Sequence, residues 1–480
     1  MRDQRAREAQ GTQRPSVVLA IACTAVVLSS LDLFIVNVAL PQIARSVHGA
    51  SLADLSWVLN AYAIVFASLL IPAGRLADRT SRKYGFLLGL VLFLVASAAC
   101  AASTSVSMLV GFRILQAAGA AVLVPTSLGL VLAAFPPERR GAAVRTWTAM
   151  GGLAAALGPV VGGLFVAASW RWAFLINVPI GLAALVAGWR GLPDTRGEGG
   201  PLPDGLGAGL LTAAISSLIF ALVKGNSWGW TSPRVLGLLA ASALLGAAFL
   251  ARSAHHPSPV FELDLLRSRS FAVSTLAALL FSAAFGAMLL SIVLWSQDIW
   301  HWSALRTGLA IAPGPLMVPL WSVIAGRLIP RLGPGAVISL GSAVFSLGVL
   351  WWAAVVGLQP RYVAEMLGGM IVTGIGVGLT LPTLFSTAAT SLPAHRFATG
   401  SAVISMVRQI GFAVGVAILV AVIGTPPTAS AALTAFQHGW LAIAGVALLG
   451  AAAGLLLRRP RPATDDTPAL AGAAGVEAVA

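Results

Sequence analysis

Fourteen apolar stretches follow one another along this chain, separated by short polar breaks. They lie near 17–39, 55–74, 85–102, 107–133, 145–168, 173–191, 205–223 and 235–251, then near 271–295, 306–326, 335–356, 362–388, 400–423 and 437–457. A bilayer core of about 30 Å is crossed by about 20 helical residues, so each stretch is long enough to span. Only 10% of the residues are charged, against about 25% in soluble domains. That is too little charge to coat a water-facing surface, and lipid must be the main solvent. The expected fold class is an all-α integral membrane protein with 14 transmembrane helices.

The net charge of +14 could suggest a nucleic-acid partner. The Lys and Arg form no single patch, however. They recur in short clusters between apolar runs, as membrane proteins distribute them, and no nucleic-acid partner is expected. The N-terminus, MRDQRAREAQGTQRPS, is polar and basic, and the apolar run behind it exceeds a signal-peptide core of about 7–15 residues. It reads as a retained first helix. An even number of spans puts both ends on one side. With that side cytoplasmic, inner segments hold 22 Lys and Arg and outer loops hold 6, which satisfies the positive-inside rule. Arg outnumbers Lys 28 to 2, as in a GC-rich bacterial genome. The expected location is therefore the bacterial inner (cytoplasmic) membrane. Eleven of the 14 Trp fall at outer helix ends, where interfacial indoles are expected.

The chain repeats itself weakly. AGRLADRTSRKYG (73–85) follows the second span and AGRLIPRLGPG (325–335) follows the tenth. Each lies between the second and third helix of a six-helix block. Related halves with a site between them are transporter architecture. The expected organisation is a cytoplasmic tail at 1–16, a six-helix bundle at 17–191 and linkers with two extra helices at 192–270. A second six-helix bundle at 271–457 and a tail at 458–480 complete it.

Asp32 is the one acid deep inside a span. It lies about 22 Å along the first helix, roughly 8 Å below the outer edge of the core. Arg113, on the antiparallel fourth span, falls at about the same depth, and Gln116 lies one turn deeper on the same face. Charges inside a bilayer face the bundle interior and have partners. Two readings remain open: a static ion pair joining helices one and four, or a carboxylate that binds and releases a proton. Burial favours a protonated carboxyl and a nearby guanidinium favours the ionised one, so helix separation could switch the proton affinity.

GRLADRTSRK (74–83) lies in a short cytoplasmic turn, as a topology anchor, as a gate latch through Asp78, or as both. GGLAAALGPVVGGLF (151–165) sets small residues at four-residue spacing, permitting close helix approach, and its Pro159 favours a bend. Arg408 and Gln409 lie in the thirteenth span, where snorkelling competes with a functional role for Arg408. Glu365 is expected to be solvated at an outer helix start. Cys23 and Cys100 read as unpaired core thiols. The six His show no metal-ligand spacing and no GxxxxGK[ST] occurs, so neither metal, cofactor nor nucleotide is assigned. An intramembrane enzyme would need converging His/Asp/Ser or metal groups at one depth, and only Asp32 and Arg113 meet that way.

Together these stretches resemble the major facilitator superfamily, and within it the fourteen-helix drug:proton antiporter branch. LDLFIVNVALP (31–41) is similar to the branch's first-helix signature through Asp32. GRLADRTSRK is similar to the loop 2–3 motif through Gly74, Asp78, Arg79, Arg82 and Lys83, with Ser81 where a Gly is usual. RILQAAG (113–119) is similar to the fourth-helix motif through Arg113, Gln116 and Gly119, with Ala117 where a Gly is usual. LGPVVGG is similar to the antiporter motif through Gly158, Pro159, Gly162 and Gly163, and WRWAFLINVPIG (170–181) to the segment leading into helix six. The resemblance implies two six-helix bundles plus an inserted pair. It also implies proton-coupled export of small amphipathic compounds by alternating access, by a protein expected to work as a monomer. Asp32 would take the proton and Arg113 and Gln116 would tune it. The loop and fifth-helix motifs would gate and seal, and Asn37 and Tyr62 would line the cavity. The same fold could instead serve solute uptake or lipid export.

Overall fold

The computed structural model describes residues 15–46, 51–194, 202, 204–391 and 397–457, and no strand occurs among them. Fourteen helical spans follow. They are α1 Pro15–Ser46, α2 Leu52–Arg79, α3 Arg82–Ala102, α4 Val106–Ala134 and α5 Pro137–Val166. Next come α6 Trp172–Gly191, α7 Gly205–Trp228, α8 Pro233–His255, α9 Arg269–Ile299 and α10 Ala304–Leu332. The last are α11 Pro334–Val355, α12 Val363–Ala388, α13 Phe397–Ile423 and α14 Ala429–Leu455.

Local chemistry sets many of the boundaries. Ser81, Ser105, Asp204, Ser232, Ser268, Ser303 and Thr428 each precede a helix, and each accepts the backbone N–H three residues on, satisfying one orphan donor of the first turn. Ser81 shows why the loop motif tolerates a side chain there. Its backbone is extended (φ −145°), so no glycine is required, and its hydroxyl caps α3. Interior prolines mark the irregular places. The transmembrane part of α5 bends by 42° between Ala149–Ala155 and Leu157–Val166, where Pro159 withholds a backbone donor. α10 breaks at Ala312, just before Pro313.

The repeat hinted at by the two GRL stretches is visible in the packing. α1 packs on α5, α2 on α4, and α3 on α4 and α6; eight helices later α9 packs on α13, α10 on α12, and α11 on α12 and α14. The seam between the halves has the same symmetry, because α2 meets α13 while α5 meets α10. α7 lies beside both α2 and α13, and α8 packs on α7. Lys224 of α7 bridges to Asp54 of α2 at 3.0 Å, and Asn226 donates to the Ala421 carbonyl of α13. The inserted pair thus clasps one side of the seam.

The two faces of the bundle differ. On the face distal to the chain ends, the halves are tied together. Arg45 pairs with Asp298 at 3.6 Å and donates to the Gln297 carbonyl at 3.2 Å, while the Gln297 side chain donates to the Val38 carbonyl at 2.9 Å. On the terminal face, the linkers hold helix ends. Arg75 of α2 pairs with Glu262 at 2.7 Å and also meets Ser258. Ser81 donates to Asp194 at 2.5 Å, and Arg252 pairs with Asp204 at 2.7 Å.

Two expectations are corrected. Glu365 is not solvated but buried, because its carboxylate accepts the Gly357 N–H at 2.8 Å and so closes the turn between α11 and α12. Trp170, Trp295, Trp300, Trp302, Trp352 and Trp440 occupy helix ends as expected but are buried in protein, not spread along an interfacial belt. Three of these indoles find acceptors inside the protein, whereas Nε1 of Trp170, Trp295 and Trp302 has none among the described residues. Trp300, Trp352 and Trp440 donate to the Gly357 carbonyl, the Met366 carbonyl and the Ser291 hydroxyl, while Trp295 meets Trp300 and Trp440 edge to face and Trp300 lies tilted against Trp302.

Burial works against ionisation of Asp204, but the Gly207 N–H, Arg252 and His256 outweigh it and hold this carboxyl below the ordinary range. The stabilisation is therefore present above the unfolded value of about 3.9 and is lost as pH falls through the folded one. Asp204→Ala is expected to cost about 1–2 kcal/mol at neutral pH, through the lost cap and charged hydrogen bond. Thermal melts of the detergent-solubilised variant and parent should converge as the pH is lowered below about 3.9.

Candidate functional site

The site begins with close backbone approach. A side-chain carbon on Gly119 of α4 would sit 2.7 Å from the Phe93 backbone nitrogen of α3, and one on Gly89 would sit 2.8 Å from that of Leu123. α3 and α4 therefore touch backbone to backbone. Carbons on Gly158 and Gly162 of α5 would meet Phe34 at 2.5 Å and Ile35 at 3.1 Å. These are the neighbours of Asp32 on α1, so the fifth-helix glycines press α5 onto the stretch of α1 that carries the acid.

Between these helices lies a fully enclosed polar cluster. Arg113 Nη1 donates to Asp32 Oδ2 at 2.5 Å and to Gln116 Oε1 at 2.7 Å, and its Nε donates to the Val58 carbonyl of α2 at 3.0 Å. Asp32 Oδ1 accepts Gln116 Nε2 at 2.8 Å and Asn177 Nδ2 at 3.1 Å. Ser97 of α3 accepts Gln116 Nε2 at 2.8 Å and Asn177 Nδ2 at 3.4 Å. The guanidinium carbon lies 4.1 Å from the centroid of Tyr62 and 5.9 Å from that of Phe174. Asp32, Arg113, Gln116, Ser97 and Asn177 are 0% exposed. The carboxylate thus faces the protein and not lipid, and three donors from two helices hold it. The hydrogen-bonding capacity is not used up. Arg113 Nη2, Asn177 Oδ1 and the Tyr62 hydroxyl have no partner among the described residues.

The structure therefore brings Asp32, Arg113, Gln116 and Tyr62 together. Tyr62 stacks on Phe66 with centroids 5.9 Å apart, and Asn37 is buried with its Nδ2 donating to the Leu33 carbonyl one turn back; both are enclosed by protein. Gly74 packs on Pro125, Arg82 lies along Gly129, and Lys83 is partly buried at the start of α3. The side chains of Asp78 and Arg79 lie outside the described residues. Gly163 abuts the Ala304 carbonyl of α10, and Gly308 abuts the Pro159 carbonyl. The fifth-helix glycines thus face α1 on one side and the opposite half on the other. Gln409 is buried, and Arg408 lies on Phe385 of α12, apart from the Asp32 cluster.

Sequence reasoning missed Ser97, Asn177 and Gln297. Ser97 and Cys100 are three apart on α3, and Cys100 lies 3.9 Å from Gln116. That spacing was a usable signal, as was the lone amide Asn177 just after the break of α6 at Ile176.

Two six-helix halves with repeated pairings, a seam sealed at one face and a buried charge cluster beside it define a membrane transporter and not an enzyme. The family profile described as Major Facilitator Superfamily matches residues 22–416, and the chain belongs to that family. It is 33% identical over 408 residues to the tetracenomycin C resistance and export protein of Streptomyces glaucescens, covering 85% of this chain and 75% of that one. It is 32% identical over 436 residues to the methylenomycin A resistance protein of Bacillus subtilis, covering 90% of each. The multidrug resistance protein Stp of Mycobacterium tuberculosis is 33% identical over 393 residues, covering 81% of this chain and 72% of that one. The fold is similar to that of the POT family transporter PepTSo, with a TM-score of 0.67 at 16% identity over 92% of this chain and 97% of that one.

Removing one member of a buried ion pair costs about 3–5 kcal/mol, more than replacing both. Arg113→Gln is therefore expected to lower stability in detergent more than the double variant Asp32→Asn/Arg113→Gln does. Chemical or thermal unfolding of the two checks this.

Proposed function

We propose that this chain exports lipophilic small molecules in exchange for protons by alternating access, with Asp32 as the proton carrier. The observation that carries this reading is the Asp32–Arg113 pair, a wholly buried carboxylate whose counter-charge sits on a different helix. The resistance and export roles printed in the relatives' names support the direction and the kind of cargo.

In this cycle the terminal face is cytoplasmic and the distal face is external, as the Lys and Arg distribution expects. The present state is closed outside by Arg45, Gln297 and Asp298 and by the Gly163 and Gly308 contacts. Opening that face requires α1 and α5 to move away from α9 and α10. Because Gly158 and Gly162 bind α5 to α1, such a movement pulls on the helix carrying Asp32. Any lengthening of the Arg113 contact leaves a carboxylate in a low-dielectric interior without its counter-charge, which it relieves by taking a proton from the outside. Closing restores the guanidinium and expels the proton inward. Gln116, Asn177 and Ser97 keep the carboxyl positioned while its charge changes. Gly74, Asp78, Arg79, Arg82 and Lys83 act as the cytoplasmic latch, and one chain suffices for the cycle.

Drug-hypersensitive bacteria expressing the protein test this across acidic, neutral and cationic antibiotics. Wild type should lower accumulation of at least one drug, and an uncoupler should abolish the effect. Asp32→Asn should fall to the vector-only level while remaining in the membrane at normal abundance. Full export by Asp32→Asn would remove the proton role from this residue, and raised drug accumulation in wild-type cells would reverse the direction.

A further inference from the structure

Three charged side chains lie six or more residues inside membrane-length spans among the described residues: Asp32, Arg113 and Arg408. The first two neutralise one another. Arg408 has no such partner. No carboxylate of the described residues is within ion-pair distance, it makes no hydrogen bond with them, and its Nε is enclosed without an acceptor. Its one specific neighbour is Phe385 of α12, with the guanidinium carbon 5.7 Å from the ring centroid.

A guanidinium this deep is expensive unless something anionic meets it. The residue as a whole is half-buried: its Nε is enclosed without an acceptor, while Nη1 and Nη2 are not among the enclosed atoms, so the outer fork of the guanidinium stays open to an anion from outside the chain. Arg408 also lies eleven residues into α13, about 16 Å along the helix from Phe397. Its position in the repeat is informative too. α12 and α13 correspond to α4 and α5, which carry Arg113 and the seam glycines, and α13 itself meets α2 of the opposite half. The side chain therefore stands on the pair of helices whose counterparts in the first half build the polar cluster and the seam.

We infer that Arg408 is the anion-binding subsite of the transport cleft, with Phe385 as its apolar wall, and that the preferred cargo is a lipophilic organic acid bearing a carboxylate. This inference rests on the export reading and names its substrate class. A planar fork of donors matches a carboxylate in two parallel hydrogen bonds, and the neighbouring ring offers a face to an aromatic or aliphatic body. A cationic cargo finds no free carboxylate in the membrane interior among the described residues, because Asp32 is already taken. An acid arriving at Arg408 brings the missing negative charge with it.

The test is binding, which needs no proton gradient. Full-length protein in phosphatidylcholine nanodiscs is titrated with 1-pyrenebutyrate and with its neutral counterpart 1-pyrenebutanol at neutral pH, following quenching of tryptophan fluorescence. Wild type should bind the acid about tenfold more tightly than the alcohol. Arg408→Gln should erase that preference without weakening alcohol binding, and Arg408→Lys should keep part of it. Equal affinities in wild type overturn the inference whether or not any variant folds, and so does a preference that survives Arg408→Gln. Repeating the titration with phosphatidylglycerol in the discs separates the two sources of anion. A preference that persists supports a cargo site, and one abolished by that lipid assigns Arg408 to headgroups and overturns it. Acid preference without gradient-driven export would sink the export reading alone; export of neutral or cationic drugs without acid preference would sink this one alone.

Discussion

A carboxylate placed among apolar helices is tolerable only while something holds its charge. In this protein that something is Arg113, reached across the gap between α1 and α4 and backed by Gln116 and Asn177. The interaction is strong because protein encloses both charges on all sides, and fragile for the same reason. Both partners are fully enclosed, so small changes in their separation change the electrostatic energy far more than they would at a surface. A structural pair and a proton switch therefore have the same resting geometry. What distinguishes them is whether the helices bearing the two charges move relative to each other.

The surrounding packing bears on that question. Glycines let α5 lie directly on α1 beside Asp32, and the next glycine along touches α10 of the opposite half. Movement at the seam is thus mechanically close to the acid, with Phe34 and Ile35 as the intermediate contacts. The bend at Pro159 falls in the same stretch. The distal seal is made of few polar contacts: one ion pair with both partners partly exposed and two hydrogen bonds to carbonyls. Such contacts contribute little individually, which suits the gating role proposed for them.

Much of this was legible in the sequence because lipid leaves few options. Apolar run length dictated the helices, and the depth estimate placed Asp32 opposite Arg113, where the structure has them in contact. The two GRL turns reported the repeat that the helix pairings display. Other features depend on tertiary contacts that no periodicity encodes. Ser97 and Asn177 join the cluster because α3 and α6 happen to face α1 and α4, and small polar residues are common on helices without such roles. Glu365 read as solvated from its position at a helix start, but the turn between α11 and α12 folds over it. Helix-end tryptophans were equally consistent with a lipid interface and with interhelical packing, and here packing takes several of them. Arg408 was visible as a charge within a span; only the structure shows that no carboxylate among the described residues pairs with it.

The account's central claim is that Asp32 changes protonation within the operating cycle while remaining inside the protein. Difference infrared spectroscopy of lipid-reconstituted protein, recorded as pH is stepped, reads that carboxyl directly. The account predicts a protonated-carboxyl C=O band that grows on acidification within the range where export operates, and that is missing from the Asp32→Asn variant. An Asp32 that stays ionised throughout that range, giving identical difference spectra for parent and variant, would contradict it.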